Sequence, residues 1–377
     1  MAGYIFTLGK SEDVLENYFS FAKNGVFGTI FNPPKINSWS AAYEATFGDY
    51  LSMKEGDHVY FFFKRKIYGI GVLKSVTGSG DARYLNYPGA DFPIPNPSAI
   101  KKPIINDDRI RVVFTFINDP YFFKNGIDMD LVLQSKPYSF RMLRAMWKVS
   151  FIKIDDEEDN ALFEIILREN KTRLFDNEGI KTSLSIQKQV ANLVQKKSYK
   201  LSSSNLVINT SDGEGIRHEM VIECDLIEKL SLKEDVDVFG EWDYISHQVV
   251  ASPFKPIDYM DKIDIFGYQK IKNYNSISRY MCIEIKKDAA SIDLINQIMK
   301  YVDWIKDEYA NGDYEIIDAY VVAQNYSDEV IAYAKKIGVR NYIKGVRAEI
   351  ENKTWGNLYL ITYRFDSVLQ KIVYKKI

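Results

Sequence analysis

Apolar and polar residues alternate in two different ways along the chain, and the change falls near its middle. In the first half, short β-branched and aromatic runs such as "DHVYFFF", "IYGIGVL" and "IRVVFTFI" are bounded by Gly, Pro, Asn and Asp. Such runs are typical of strands in a small barrel or a strongly bent sheet. The segment "SEDVLENYFSFAKN" instead has helical spacing and opens with Ser11, a residue type that caps helices. The first half is therefore predicted to be an α+β domain.

From about residue 216 the pattern predicts helices that alternate with strands. The helix "HEMVIECDLIEKLSL" precedes three strands, "DYISHQVV", "KIDIFGY" and "YMCIEIK", and the helix "SIDLINQIMKYVDWIKDEY" follows them. Next come the strand "IDAYVVAQ", the helix "SDEVIAYAKKIG" and the strands "NYIKGVRAEI" and "LYLITYRF". A strand, helix, strand crossover of this kind predicts an α/β domain with a mixed sheet flanked by helices.

A boundary between the two halves is indicated by composition. Nine of the 11 prolines precede residue 138, and residues 172 to 215 are polar, with a Lys-rich patch and a Ser/Asn run. A chain of 377 residues is also long enough for two domains. We therefore predict a first domain at residues 1–170, a linker with one short helix at residues 171–215, and a second domain at residues 216–377.

Charge and cysteine content exclude several classes of protein. The formal net charge is -2, so the chain is not a polybasic nucleic-acid binder, and any nucleic acid must be bound in a local groove. Two cysteines cannot form a disulfide framework, and no basic segment followed by an apolar one begins the sequence. No run of about 18 apolar residues is present either. We predict a cytoplasmic protein without a membrane-spanning segment.

The strands "KIDIFGY" and "YMCIEIK" place charged side chains among residues that belong in a core. Side chains at alternate positions of a strand share a face, so Glu284 and Lys286 point the same way. If the two strands pair, Asp264 and Glu284 come close together, because paired strands lie about 4.8 Å apart. Two neighbouring carboxylates repel each other unless a cation lies between them, and oxygen ligands suit Mg²⁺ or Mn²⁺. A Glu-x-Lys pair alone is also typical of a solvated salt bridge at a strand edge.

The same residues carry a resemblance to a known family. "DKIDIFGYQ", "YMCIEIKKDAA" and "INQIMKYVDWI" resemble the PD-(D/E)XK nuclease superfamily, in particular its NucS-like and Mrr-like branches, over roughly residues 217 to 345. That superfamily has a restriction-endonuclease-like mixed sheet and the pattern D, then ExK, then a helix with QhxxY, where h is apolar. The matching positions here are Asp264, Glu284, Lys286, Gln297 and Tyr301.

The resemblance also implies a role for each matched residue. Asp264 and Glu284 would hold a Mg²⁺ or Mn²⁺ ion, Lys286 would position the attacking water, and Gln297 would support the site. A helix glutamate, Glu223 in preference to Glu228, would complete it. The family's proline is absent, since Ile263 precedes Asp264.

The first half resembles another family. "KEGDHVYFFF", a basic turn and then "YGIGVLKSV" resemble the PUA-like superfamily, especially EVE and YTH domains, over roughly residues 1 to 165. The resemblance implies a small curved β-barrel that captures a modified base, flipped out of its duplex, in an aromatic cage. Trp39, Tyr84 and Tyr87 are the candidate base-binding rings. With 14% aromatic residues in the chain, a core position for these rings is the alternative.

Together the two resemblances imply a Mg²⁺-dependent endodeoxyribonuclease. We also expect a homodimer, because a nuclease with a single site generally needs two copies to cut both strands. The first hypothesis is modification-sensing restriction in antiviral defence, in which the first domain captures a base and the second cuts DNA. A structure-specific DNA repair nuclease is the second hypothesis. A reader of modified RNA or DNA with a degenerate, inactive nuclease fold is the third.

Overall fold

The protein is described by a computed structural model that covers residues 1–8, 13–30, 47–86, 104–105, 111–141, 143, 151–195, 199–252, 261–345 and 350–377. The chain divides into two compact units, Met1–Leu201 and Ser202–Ile377. The boundary lies inside the predicted linker, but that segment is more helical than expected. Instead of one short helix it contains three, which are given below with their units.

In the first unit a seven-stranded sheet curls into a half-barrel, in the order β2-β6-β4-β3-β1-β7 with β5 also paired to β6. Strands β1 and β3 run parallel, and the other pairs in this sheet are antiparallel. The strands are β1 (Gly3–Thr7), β2 (Val26–Ile30), β3 (His58–Phe63), β4 (Lys66–Leu73), β5 (Arg83–Leu85), β6 (Arg111–Asp128) and β7 (Phe151–Ile154).

Helices cover this curled sheet. They are α1 (Asp13–Asn24), α2 (Met129–Ser135), α3 (Asp156–Glu169), α4 (Lys171–Phe175) and α5 (Leu184–Val194). Asp155 caps α3, because its side chain accepts hydrogen bonds from the N–H groups of Glu157 and Glu158. The helix then packs Leu162 and Ile166 against the buried face of the sheet. The predicted cap of α1, Ser11, lies outside the described residues.

The second unit is built on a six-stranded mixed sheet in the order β10-β11-β12-β13-β16-β17. Strands β10, β11 and β12 are antiparallel neighbours, β12, β13 and β16 are parallel neighbours, and β17 is antiparallel to β16. Every residue of β13 is buried, as expected for a central parallel strand. The strands are β10 (Tyr244–Val250), β11 (Lys262–Lys270), β12 (Ile277–Lys286), β13 (Ile317–Ala323), β16 (Leu358–Asp366) and β17 (Lys371–Lys376).

Five helices and two small hairpins complete this unit as far as the structure describes it. The helices are α6 (Ser204–Thr210), α7 (Glu219–Ser231), α8 (Val236–Phe239), α9 (Ile292–Glu308) and α10 (Asp328–Ile337). The hairpins are β8 (Ser211–Asp212) with β9 (Gly215–Ile216), and β14 (Arg340–Lys344) with β15 (Glu351–Trp355). Ser291 and Ser327 cap α9 and α10, which explains why both helices begin where the sequence predicts.

The fold is thus mixed α+β, with a curled sheet in the first unit and a mixed sheet flanked by helices in the second. Strands β15 and β17 were not expected from the sequence, since both are short and their apolar and polar residues alternate only weakly. None of the helices in the described ranges is both long enough and apolar enough to span a bilayer.

Candidate metal centre

Strand pairing brings Asp264 and Glu284 to the same point of the second sheet. Strands β11 and β12 are antiparallel, with Ile265 opposite Ile283, so the register continued by one residue places Asp264 opposite Glu284. The two strands are also tied together there, because the N–H of Ile285 donates a hydrogen bond of 2.8 Å to Oδ2 of Asp264. The two carboxylates therefore project together from neighbouring strands.

Glu284 is the more buried of these two acids, with 5% of its surface exposed. Its Oε2 makes no hydrogen bond within the described part of the chain. Burial raises the pKa of Glu284 well above its usual range, the negative charges of Asp264 and Glu219 raise it further, and Lys286 opposes them. Without a bound cation, an ionised Glu284 is therefore costly at this position.

Asp264 is held at both carboxylate oxygens. Burial raises its pKa, the hydrogen bond from Ile285 opposes that rise, Glu219 adds to it, and Gln248 opposes it. The opposing contact from Gln248 is a hydrogen bond of 3.1 Å from Nε2 to Oδ1 of Asp264. These fixed donors set the orientation of the Asp264 carboxylate before any ligand arrives.

Lys286 forms an ion pair that the sequence analysis missed. Its Nζ lies 3.1 Å from Oε2 of Glu219, in the first turn of α7, and the same oxygen accepts a hydrogen bond of 2.9 Å from the N–H of Lys287. The Lys286 side chain is 45% exposed, so its ammonium group remains accessible from solvent. Glu219 could have been found from its spacing, because it lies four residues before Glu223 and so on the same face of α7.

The two candidate helix acids have different surroundings. Glu223 is buried, and its Oε1 lies 3.5 Å from Nε2 of Gln248, the side chain that also bonds Asp264. Glu228 instead accepts hydrogen bonds from the N–H and the hydroxyl of Ser203, at 2.7 and 2.6 Å. Glu228 therefore stabilises the start of α6. Of the two candidate acids, Glu223 is the one linked to Asp264, through the shared side chain of Gln248.

Gln297 and Tyr301 form a chain of hydrogen bonds that ends on the backbone of β11. Nε2 of Gln297 donates a hydrogen bond of 2.8 Å to the hydroxyl oxygen of Tyr301, and that hydroxyl donates one of 2.8 Å to the carbonyl of Lys262. Lys262 lies two residues before Asp264 on the same strand. The pair therefore supports the strand that carries Asp264 through its backbone.

Of the three candidate base-binding rings, the structure describes Tyr84 alone. Trp39 and Tyr87 lie outside the described residues. Tyr84 belongs to β5, is 7% exposed, and donates a hydrogen bond of 3.0 Å to the carbonyl of Asp81. Its ring is packed inside the first unit, because β5 pairs with β6 there. This burial favours the alternative of a core position for Tyr84, and its role in base binding stays a prediction.

The chemistry of the carboxylate pair fits a hard divalent ion. Within the described residues, no three His, Cys, Asp or Glu side chains lie close enough together to form a complete metal cage. Mg²⁺ does not need one, because it keeps several waters and binds proteins through one or two carboxylates. The unbonded Oε2 of Glu284 and the repulsion between Glu284 and Asp264 are the two features that a cation would resolve.

Comparisons with known proteins add little. No protein-family model matches the chain, and neither does any curated protein sequence. A crystal structure of a repair endonuclease from Pyrococcus abyssi matches with 23% sequence identity and a TM-score of 0.22, over 34% of this chain and 46% of that chain. A hypothetical protein from Leishmania major matches with 13% identity and a TM-score of 0.26, over 46% of this chain and 97% of that chain. These TM-scores are too low for either match to establish a shared fold.

Proposed function

We propose that the second unit carries a divalent-metal-dependent nuclease centre that hydrolyses phosphodiester bonds in DNA. The observation that supports it most is the pairing of Asp264 with a buried Glu284 whose Oε2 makes no hydrogen bond in the described part of the chain. Lys286 follows on the same strand face, with its ammonium group accessible from solvent. Two acids that can bind a metal, one of them with an unbonded oxygen, therefore lie on the same sheet as an accessible ammonium group. This combination suits metal-assisted attack of water on a phosphate.

Each residue of the centre has a separate task in this proposal. Asp264 and Glu284 would hold the ion, Mg²⁺ or Mn²⁺. When bound, such an ion lowers the pKa of a coordinated water and offsets the charge that develops on the phosphate. Lys286 donates a hydrogen bond that orients the attacking water. Glu219 holds the Lys286 ammonium group at the mouth of the site through their ion pair of 3.1 Å.

The biological setting is a wider proposal. Modification-sensing restriction requires the first unit to capture a base, with Trp39 as the first candidate ring and Tyr87 as a further one. A homodimer would place two such centres on one duplex, as cutting of both strands requires. Structure-specific repair and binding without catalysis remain the alternatives.

A cleavage assay with matched lysine variants tests the proposal. Wild-type protein, Lys286→Ala and Lys287→Ala are incubated with Mg²⁺ or Mn²⁺ and plain, mismatched or base-modified duplexes, with a chelator as the blank. Lys287 is the control, because it is adjacent in sequence but its Nζ forms an ion pair with Asp288, at 3.9 Å. We expect metal-dependent cleavage by the wild type and Lys287→Ala, and none by Lys286→Ala.

The other outcomes discriminate between the hypotheses. Equal cleavage by all three proteins would show that the activity does not depend on Lys286, and so that it does not arise at this site. Binding of DNA without cleavage by any of them would favour the reader. Preference for mismatched duplexes favours repair, whereas preference for modified duplexes that is lost in Trp39→Ala favours restriction.

A further inference from the structure

Gln248 has a backbone conformation that is unusual for its place in the fold. It lies within β10 and has a φ of 53°, in the left-handed region that favours glycine. Its neighbours still pair normally with β11, since His247 lies opposite Ile265 and Val249 lies opposite Ile263. A non-glycine residue in this conformation inside a strand is strained, and such strain persists only where the surrounding structure enforces it.

The side chain of Gln248 joins two acids that come from different elements. Its Nε2 donates a hydrogen bond of 3.1 Å to Oδ1 of Asp264 on β11 and lies 3.5 Å from Oε1 of Glu223 on α7. The other oxygen of Asp264 accepts its hydrogen bond from the N–H of Ile285 on β12. The carboxylate of Asp264 is thus held on one side by β10 and on the other by β12.

An amide is well suited to this position. It donates hydrogen bonds to both acids without adding a positive charge, so the acids remain available to attract a cation. A lysine or an arginine there would satisfy the same oxygens but would compete with the cation for them. Groups that orient metal-binding carboxylates from outside commonly change metal affinity by about 10–100-fold when they are removed.

We propose that Gln248 is a positioning residue, whose strained backbone presents an amide that holds Asp264 ready to bind a divalent ion and links it to Glu223. This inference rests on the proposed metal centre. It assigns to Gln248 a role in metal binding that acts through Asp264.

Gln248→Gly removes the amide without adding backbone strain. Glycine adopts the left-handed conformation without strain, so the variant relieves the backbone while it removes the amide. We expect the affinity for Mn²⁺, measured by calorimetric titration of the full chain, to fall about 10-fold. We expect the melting temperature in chelator not to fall. A residue with a purely structural role would not separate metal affinity from stability in this way.

Two further variants serve as controls. Gln370→Gly makes the same change at an exposed residue in the turn between β16 and β17, where φ is 51°. It should change the melting temperature as Gln248→Gly does and leave the Mn²⁺ affinity unchanged. Gln248→Met keeps the length of the side chain without a donor, and it should weaken Mn²⁺ binding as much as Gln248→Gly.

Each alternative outcome has a definite meaning. If Gln248→Gly binds Mn²⁺ as tightly as the wild type, the positioning role is overturned. It is also overturned if the variant loses stability and Mn²⁺ affinity together. If the wild-type protein binds no Mn²⁺ at all, the proposed metal centre is disproved, and so is this inference.

Discussion

The N–H of Ile285 donates a hydrogen bond of 2.8 Å to Oδ2 of Asp264, so the peptide that follows Glu284 is tied to the acid on the next strand. This contact holds two carboxylates together in spite of their repulsion. The backbone pairing of β11 and β12 stabilises the fold enough to offset this repulsion. A bound cation would remove the repulsion itself. Stability and metal binding should therefore respond in opposite ways when one of the two acids is neutralised.

Glu284→Gln tests that opposition directly. The amide has the shape of the acid but no charge, so the variant removes both the cost of burying a charge and the repulsion with Asp264, which together raise the pKa of Glu284. In chelator at pH 8 we expect the unfolding free energy to rise by about 1 kcal/mol. At an Mn²⁺ concentration of about 100 times the Kd, the wild type should gain about 2.7 kcal/mol, whereas the variant should gain nothing.

Thermal unfolding with and without Mn²⁺ measures both effects. Glu228→Gln is a suitable control, because its carboxylate bonds Ser203 away from the pair and its loss should only destabilise α6. Equal stabilisation of the wild type and Glu284→Gln by Mn²⁺ would place the bound ion elsewhere.

Glu219→Gln addresses the ion pair with Lys286. The two side chains are 36% and 45% exposed, so the pair should contribute no more than about 1 kcal/mol to stability. Cleavage should fall more noticeably, by about 10-fold, because Lys286 loses the partner that holds its ammonium group in place. Steady-state cleavage rates at saturating Mn²⁺ provide the measurement.

Glu241→Gln is the matched control for this prediction. It breaks another exposed ion pair of the same unit, in which Nζ of Lys233 lies 2.9 Å from Oε2 of Glu241. Its cleavage rate should equal that of the wild type. Similar rates for the two variants would show that Glu219 has no part in positioning Lys286.

Tyr301→Phe removes the hydroxyl that joins α9 to the backbone of β11. The carbonyl of Lys262 then loses its donor and Gln297 loses its acceptor, so we expect a destabilisation of about 1 kcal/mol. Mn²⁺ affinity should also fall several-fold, because Lys262 lies two residues before Asp264. Chemical unfolding and calorimetric titration of the same samples report the two quantities.

A second tyrosine of the sheet separates these effects. Tyr280 also donates to a backbone carbonyl, that of Tyr309, at 3.1 Å, but it lies on β12 four residues before Glu284. Tyr280→Phe should lose similar stability and keep its Mn²⁺ affinity. A loss of affinity in both variants would indicate a general loosening of the sheet.

The sequence predicted those features of the second unit that depend on local pattern. Strands β11 and β12 follow each other closely and alternate with a period of two, so Asp264 and Glu284 could be placed face to face before the structure was known. The order of helices and strands was also predictable, because serine caps and buried apolar runs mark their ends. The Gln297 and Tyr301 contact follows from helical spacing in the same way.

Features that depend on packing between distant segments were not predictable. The ion pair of Glu219 with Lys286 requires the first turn of α7 to lie beside the end of β12, and the local sequence does not encode that distance. Gln248 carries no sign of its left-handed backbone, since only the pairing of β10 with β11 imposes it. The burial of Tyr84 was not predictable for the same reason, because it accompanies the pairing of β5 with a strand about 30 residues later.

The first unit contains a buried cation whose titration can be measured. Lys153 on β7 donates a hydrogen bond of 3.0 Å to Oγ of Ser52, and its Nζ lies 5.3 Å from the ring centroid of Tyr4. Burial lowers the pKa of Lys153 to about 7, Asp57 opposes that shift, Lys54 adds to it, and Asp49 opposes it. The folded state therefore releases this proton at a pH about 3.5 units lower than the unfolded chain does.

The sign of the pH dependence follows from this difference. Between about pH 7 and pH 10 the unfolded chain binds more protons at this residue than the folded state does, so its contribution to stability increases with pH. Below pH 7 both states are protonated, and the full cost of the buried charge is present. Lys153→Met removes the charge and the titration, so it should be more stable than the wild type by about 2 kcal/mol at pH 6.

The advantage of Lys153→Met should decline as the pH rises, because the wild-type lysine becomes neutral in the folded state. Urea unfolding of the full chain at pH 6 and pH 9 would measure the change, with Lys66→Met as the control, since Lys66 is exposed at the start of β4. The control should differ from the wild type by the same amount at both pH values. If Lys153→Met is destabilised equally at pH 6 and pH 9, the buried ammonium group is compensated by its hydrogen bond and by Asp57, and the first unit tolerates this charge without cost.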